Sequence, residues 1–158
     1  MGYNIAGLVI KGTPTQETLE ALLGDKYVFE KEIDFEEASS SQRPKERLDI
    51  LQTGSGVFLL FDLMNGIHPP AADLEIIHFI ISDVSDSYYL DKYVQGELVS
   101  HMIISEGEVV EESGEAIFDP EEEFEDFVFD KVAQYLNFSE DENIWDAIFK
   151  RNRYLGVD

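Results

Sequence analysis

Two spacings of apolar residues, every second position and every third or fourth, divide the chain into predicted strands and helices. Alternating or continuous apolar runs predict the first strands. The runs at 48–51 and 57–63 flank Gly54, Ser55 and Gly56, a spacing typical of a hairpin. The run at 75–82 is apolar on both faces, which predicts a central strand. These predicted strands occupy residues 3–11, 27–35, 48–51, 57–63 and 75–82.

Three further alternating runs follow, at 88–94, 97–104 and 108–112. The turns between them are short and contain Gly96 and Gly107. Such turns join neighbouring antiparallel strands, so these runs predict a strand meander.

Helices are predicted where capping residues precede a helical apolar face. Thr13, Pro14 and Gln16 form a helix start, and Gly24 suits the stop. Residues 36–47 lack any periodicity and predict a loop. Asp119 and Pro120 start a second helix, and the capping box from Ser139 to Glu142 starts a third. The apolar face of the second helix is Phe124, Phe127, Val128, Val132, Tyr135 and Leu136, and that of the third is Ile144, Trp145, Ile148 and Phe149.

The order of these elements predicts an α+β fold. We expect one domain, residues 1–158, with a largely antiparallel sheet. In this prediction a C-terminal strand meander is followed by two helices, and the helices pack on one face of the sheet.

The composition of the chain excludes several classes of function. The chain has 158 residues, 34 acidic and 11 basic, and a net charge of −23. Such a charge repels nucleic acid and anionic lipid, and it favours a basic protein as partner. There is no cysteine, which excludes thiolate chemistry and is compatible with a reducing compartment. With no membrane-length apolar run and no signal-like N-terminus, we expect a soluble cytoplasmic protein.

The strongest concentration of charge lies between Lys92 and Lys131, where 13 Asp or Glu occur without a Lys or Arg. One interpretation is a surface that binds a cationic partner. The other is a solvated face that aids solubility. The candidate partner-binding residues are Glu111, Glu112, Glu121, Glu122 and Glu125.

A second candidate site lies near the end of the run at 57–63. Asp62 closes that run, His68 precedes Pro69, and Arg43 lies in the predicted loop at 36–47. A carboxylate at a strand end, an imidazole and a mobile guanidinium are the groups that a small hydrolase or a ligand-binding site needs. Each also has an ordinary structural role, as a turn cap or a surface loop residue.

The remaining histidines, His78 and His101, lie within predicted strands, and we interpret them as hydrogen-bonded sheet residues. No zinc, calcium, phosphate-loop or nucleophile-elbow motif occurs. We therefore predict no metal, no cofactor and no catalytic residue outside the second candidate site.

One segment carries a family resemblance. Tyr88, Tyr89 and Tyr93 precede Gly96-Glu97-Leu98-Val99, and Glu106-Gly107-Glu108 and Gly114-Glu115 follow. This stretch, from Tyr88 to Glu115, resembles a strand meander of small uncharacterised bacterial proteins, some of which are thought to be immunity proteins of polymorphic toxin systems. The resemblance implies a small bacterial cytosolic protein without an active site.

Two functions of different class follow. The first is a non-enzymatic acidic protein-interaction module, immunity-like or regulatory. The alternative is a small hydrolase or ligand-binding protein with its site near Asp62 and His68. The sequence does not predict an oligomeric state.

Overall fold

A computed structural model describes residues 3–40, 42–62 and 74–156 of the chain. Within these residues, nine strands form one sheet, and every strand pairing is antiparallel. The strands are β1 Asn4–Lys11, β2 Tyr27–Asp34, β3 Arg47–Gln52, β4 Gly56–Phe61, β5 Glu75–Ser82, β6 Ser87–Val94, β7 Glu97–Ser105, β8 Glu108–Gly114 and β9 Ile148–Tyr154. The helices are α1 Gln16–Leu23, α2 Phe35–Ala38 and α3 Phe124–Leu136, with a 3-10 helix at Ile144–Asp146.

The strand order across the sheet is β2-β9-β3-β4-β1-β5-β6-β7-β8. The last four strands, β5 to β8, pair in chain order and form a meander. The β6–β7 turn places Gln95 and Gly96 at positive φ, and the β7–β8 turn does the same with Glu106 and Gly107. Two successive residues at positive φ are the geometry that matches the twist of a hairpin.

Helices cover both faces of the sheet. Successive strand residues point to opposite sides, so each central strand contributes side chains to two cores. On one side, Ile5 and Val9 of β1 lie in a core with α2, α3 and the 3-10 helix. On the other, Ala6, Leu8 and Ile10 lie in a core with α1. We call these sides the α3 face and the α1 face.

The helix α3 buries the apolar face that its sequence predicts, from Phe124 to Leu136. A side chain at Gly56 would overlap the carbonyl oxygen of Tyr135, so this glycine lets the end of α3 lie directly on β4. The hydroxyl of Thr53 donates to the carbonyl of Leu136 at 2.7 Å and satisfies one of the helix's terminal carbonyls.

The predicted fold is wrong at the C-terminus. Residues 148–154 form strand β9 rather than a helix, and β9 lies between β2 and β3. The spacing of Ile144, Trp145, Ile148 and Phe149 fits a helix, but from Ile148 onward the side chains alternate between the two faces. Phe149 is fully buried in the α3-face core, and Lys150 is exposed. A strand therefore follows the predicted meander, and a single long helix, α3, lies between them.

The prediction that the helices share one face is also wrong, since α1 and α3 lie on opposite faces. The reason is that the central strands are apolar on both sides, so each face needs a cover.

Helix boundaries differ from their predicted positions as well. The cap of α1 is Thr15 rather than Thr13, and its side chain accepts from the Thr18 amide, while Gly24 ends the helix as predicted. The helix α3 begins at Phe124 rather than beside Pro120. The short helix α2 lies at the start of the predicted loop. None of the helices within the described residues is long and apolar enough to cross a membrane.

Candidate functional site: the acidic edge of the sheet

The strand β8 forms one margin of the sheet, because among the described residues it pairs with β7 alone. All of its residues except Val109 are exposed. The chain then runs exposed through most of residues 115–123 to the start of α3. We call β8 together with residues 115–123 the acidic edge, since it carries eight Asp or Glu and no Lys or Arg.

The negative charge of this edge is not neutralised within the described part of the chain. Of the ion pairs found there, only the pair of Glu111 with His101 involves the acidic edge. The remaining carboxylates therefore face solvent and are available to a partner.

Glu111 and Glu112, both in the acidic edge, point to opposite faces of the sheet. Glu112 is in register with Met102, whose side chain lies in the α3-face core, and Glu111 is in register with Ile103. Adjacent strand residues point to opposite sides, so a partner would meet the two carboxylates on different sides of the strand.

Glu121 and Glu122 are held by a turn that a buried phenylalanine anchors. The Glu121 amide donates to Asp119 Oδ1 at 3.0 Å, and the Glu122 amide donates to the Asp119 carbonyl at 2.9 Å. Phe118 is 5% exposed and packs edge-on against the Phe124 ring at 5.2 Å. The predicted helix cap Asp119 thus stabilises a turn that displays two carboxylates.

Glu125 differs from the other candidate acids because it lies against a second carboxylate. Burial and a hydrogen bond with Asp83 raise the pKa of Glu125 to about 7. Burial pushes the pKa of Asp83 upward, but the hydrogen bonds from the Tyr3 amide, Glu125 and Tyr88 outweigh it and leave that pKa below its ordinary value. The two carboxyl groups therefore share one proton near neutral pH, and Glu125 contributes less charge than its type suggests.

A histidine bridges three strands beside the acidic edge. His101 on β7 contacts Asp91 Oδ1 through Nδ1 and Glu111 Oε2 through Nε2, each at 2.5 Å. Both hydrogen bonds raise the pKa of His101, so the imidazolium is favoured. An aspartate that orients a histidine is common in general-base pairs, but here Glu111 occupies the second nitrogen. His101 therefore joins β6, β7 and β8.

His78 continues this row onto β5, where it is in register with Asp91. Its ring lies between those of Phe61 and Tyr89, with centroids 6.3 and 5.4 Å away. The side chain is buried, and its Nε2 has no hydrogen-bond partner among the residues that the structure describes. Burial lowers the pKa of His78 to about 4. The interpretation of both histidines as hydrogen-bonded sheet residues thus holds for His101, whereas Nε2 of His78 has no such bond to a described residue.

The structure describes only some residues of the second candidate site, which consists of Asp62, His68 and Arg43. Asp62 directly follows β4 and is partly buried, while His68 lies outside the described residues. The proximity of Asp62 and His68 therefore stays a prediction.

Arg43 lies in a buried ionic network rather than in a mobile surface loop. Its guanidinium donates to Asp49 Oδ2 at 2.5 Å and to the carbonyls of Ala38, Arg47 and Leu60. Asp49 is fully buried and also accepts two hydrogen bonds from Arg151, at 2.9 and 3.0 Å. The Arg43 side chain is only 5% exposed, so this cation ties the loop to the sheet.

Sequence reasoning identified the acids but not their partners. The link between Asp91, His101 and Glu111 depends on strand register, which the sequence pattern leaves open. The available signal was weak: a histidine and an aspartate on neighbouring strands of one predicted meander.

Metal binding finds no support in the geometry. Across residues 3–40, 42–62 and 74–156, no group of three His, Cys, Asp or Glu side chains is placed to hold an ion.

Comparison with known proteins adds no assignment: no family model, no curated protein and no solved structure matches this chain. The resemblance of the stretch from Tyr88 to Glu115 therefore stays an expectation.

Proposed function

We propose that this chain is a non-enzymatic protein-interaction module that binds a basic protein through its acidic edge. The observation that carries the proposal is the unneutralised charge of that edge. Its carboxylates occupy a sheet margin and a turn, and His101 is their one cationic partner among the described residues.

Two further features favour this function. The acids are displayed on a supported framework, since Phe118 anchors the turn and His101 holds β8 to the sheet. A partner would therefore meet carboxylates whose backbone positions are set before binding, which lowers the entropy cost of association. The immunity-like resemblance also implies a protein partner.

The proposal includes a cytoplasmic site of action and excludes direct nucleic-acid binding. A net charge of −23 repels phosphate backbones, whereas it accelerates encounter with a basic protein.

The test uses two charge-matched triple variants of the tagged chain. One carries Glu112→Gln, Glu121→Gln and Glu122→Gln in the acidic edge. The other carries Glu17→Gln, Glu36→Gln and Glu140→Gln, three exposed positions outside it. Both variants gain three units of charge, so a difference between them reports position rather than net charge.

The measurement is affinity capture from the host lysate at low salt, followed by the binding kinetics of the purified partner. We expect one basic protein at equimolar ratio with wild type and with the control variant, and its loss with the edge variant. We also expect the association rate to fall steeply with salt. Equal capture by all three proteins, equal loss in both variants, or no captured protein at all would overturn the proposal.

A further inference from the structure

A groove on the α1 face differs in charge from the rest of the molecule. It has a volume of about 390 Å³ and lies where the start of α1 meets β2, β3 and β9, at the end of the sheet opposite β8. Among the described residues, its lining contains no Asp or Glu and one cation, Lys150. In a chain with 34 acids and 11 bases, an acid-free lining is a distinct local environment.

The floor of the groove is apolar and partly open. Phe29 and Ile148 are each 54% exposed, although they lie on strands of the sheet. Ile50, Leu19 and Tyr27 are buried beside them. Because α1 covers only part of this face, the end formed by β2 and β9 keeps a large apolar surface in contact with water, and apolar contact with a ligand would remove it.

Lys150 is placed to receive an anion at this floor. It lies on β9 between Ile148 and Asn152, and its side chain is exposed. It forms no ion pair with any carboxylate of the described residues. Its register partner on β2 is Glu32, which is also exposed and does not line the groove.

We propose that this groove binds an amphipathic monocarboxylate, with the carboxylate on Lys150 and an alkyl or aryl tail on Phe29 and Ile148. The volume falls within the range of small-molecule sites, which is roughly 300–1,000 Å³. The lining also includes Gln52, whose amide side chain is exposed, and Asn152, which is buried and donates to the carbonyls of Leu48 and Lys150.

The remote part of the net charge opposes an anion only weakly here, because charges beyond the Debye length of about 8 Å are largely screened at physiological salt. Two carboxylates lie closer and oppose it more. Glu32 is in register with Lys150. Glu20 accepts from the Gln16 side chain and the Tyr27 amide.

The test is an NMR titration of the ¹⁵N-labelled full chain with octanoate, with octanol and octylamine as chain-matched neutral and cationic probes. We expect octanoate to shift the amides of β2, β3 and β9 near the groove and to bind about 2- to 5-fold more tightly than octanol, because a solvent-exposed charged contact is a weak one.

Two exposed substitutions sharpen the test without disturbing the core. Lys150→Gln should weaken octanoate binding to the level of octanol, and Lys150→Arg should retain it. Glu32→Gln should tighten octanoate binding by about 2- to 3-fold, because it removes the carboxylate in register with Lys150 on β2.

Three results would overturn the inference: equal affinity for octanoate and octanol, unchanged affinity in Lys150→Gln, or shifts that map to another part of the chain. The outcome is independent of the proposed protein partner, since the groove and the acidic edge lie at opposite ends of the sheet.

Discussion

Asp49 shows how one buried carboxylate organises a region far from it in sequence. It receives hydrogen bonds from Arg151, which is 102 positions away, and from Arg43. Arg151 also donates to Glu37 at 3.1 Å. The network thereby joins α2, the loop after it, β3 and β9 beneath the α3 face, and each buried charge has a partner, as burial of an ion requires.

Replacement of Asp49 by Asn should destabilise the protein strongly. The change leaves the buried Arg43 without a countercharge and leaves Arg151 with Glu37 alone, which costs about 3–5 kcal/mol. The measurement is the free energy of unfolding in urea at neutral pH. Lys31→Met is the matched control, because its exposed pair with Glu37 at 3.5 Å should contribute less than about 1 kcal/mol. Similar losses in both variants would contradict this account of the network.

At the scale of elements, a shared proton contributes to the attachment of the first turn of α3. Glu125 in its first turn meets Asp83, which follows β5, and Tyr88 of β6 stacks on the Phe124 ring at 5.0 Å. The shared proton lets two carboxyl groups lie together between the helix and the sheet. The charged pair would repel, so the attachment of this helix end weakens once the proton is lost.

This link predicts a pH dependence with a definite sign. The pKa of Glu125 rises from its ordinary 4.5 to about 7 in the folded chain, so between these values the folded state holds more protons than the unfolded state. The stability that protonated Glu125 contributes is then complete below about pH 4.5 and is lost as the pH rises through 7. Glu125→Gln keeps a hydrogen-bond donor and does not titrate.

We therefore expect Glu125→Gln to match wild type in unfolding free energy near pH 4.5 and to exceed it at pH 8. The difference should be about 1 kcal/mol, since the site is partly solvated. Chemical denaturation at both pH values measures it, with Asp126→Gln, an exposed acid in the same helical turn, as control. A constant difference between the two proteins across this range would show that Glu125 and Asp83 do not share a proton.

At the scale of the whole molecule, the net charge of −23 works against the compact state. Like charges lie closer together in the folded chain than in the unfolded chain, and their repulsion is strongest when salt is low. The two cores on either side of the sheet must offset this repulsion.

Added salt should therefore stabilise the protein. Raising NaCl from 0.01 to 0.1 M shortens the Debye length from about 30 to about 10 Å. We expect the urea midpoint to rise, with a gain on the order of 1 kcal/mol, because unit charges about 10 Å apart in water repel by roughly 0.4 kcal/mol per pair. The variant with Glu17, Glu36 and Glu140 changed to Gln should respond less. A midpoint that falls with salt would show that attractive ion pairs dominate instead.

The features that could be predicted from the sequence are those set by local patterns. The buried face of α3, the stop at Gly24 and the hairpin turns at Gly96 and Gly107 were all predictable. Each depends on residues within a few positions of one another, through helical spacing or the backbone freedom of glycine. The acidic edge was predictable for the same reason, because its acids lie within one stretch of chain.

Tertiary structure decided what depends on distant partners. Residues 148–154 become a strand because β2 and β3 bond to both sides of it and because Asp49 receives Arg151, and these gains outweigh a local helical spacing. The partners of Glu125, Arg43 and His101 likewise follow from packing and strand register. Local patterns of polarity thus determine which surfaces this chain buries and where its charge concentrates, whereas the pairing of strands remote in sequence decides which of its ionisable groups meet.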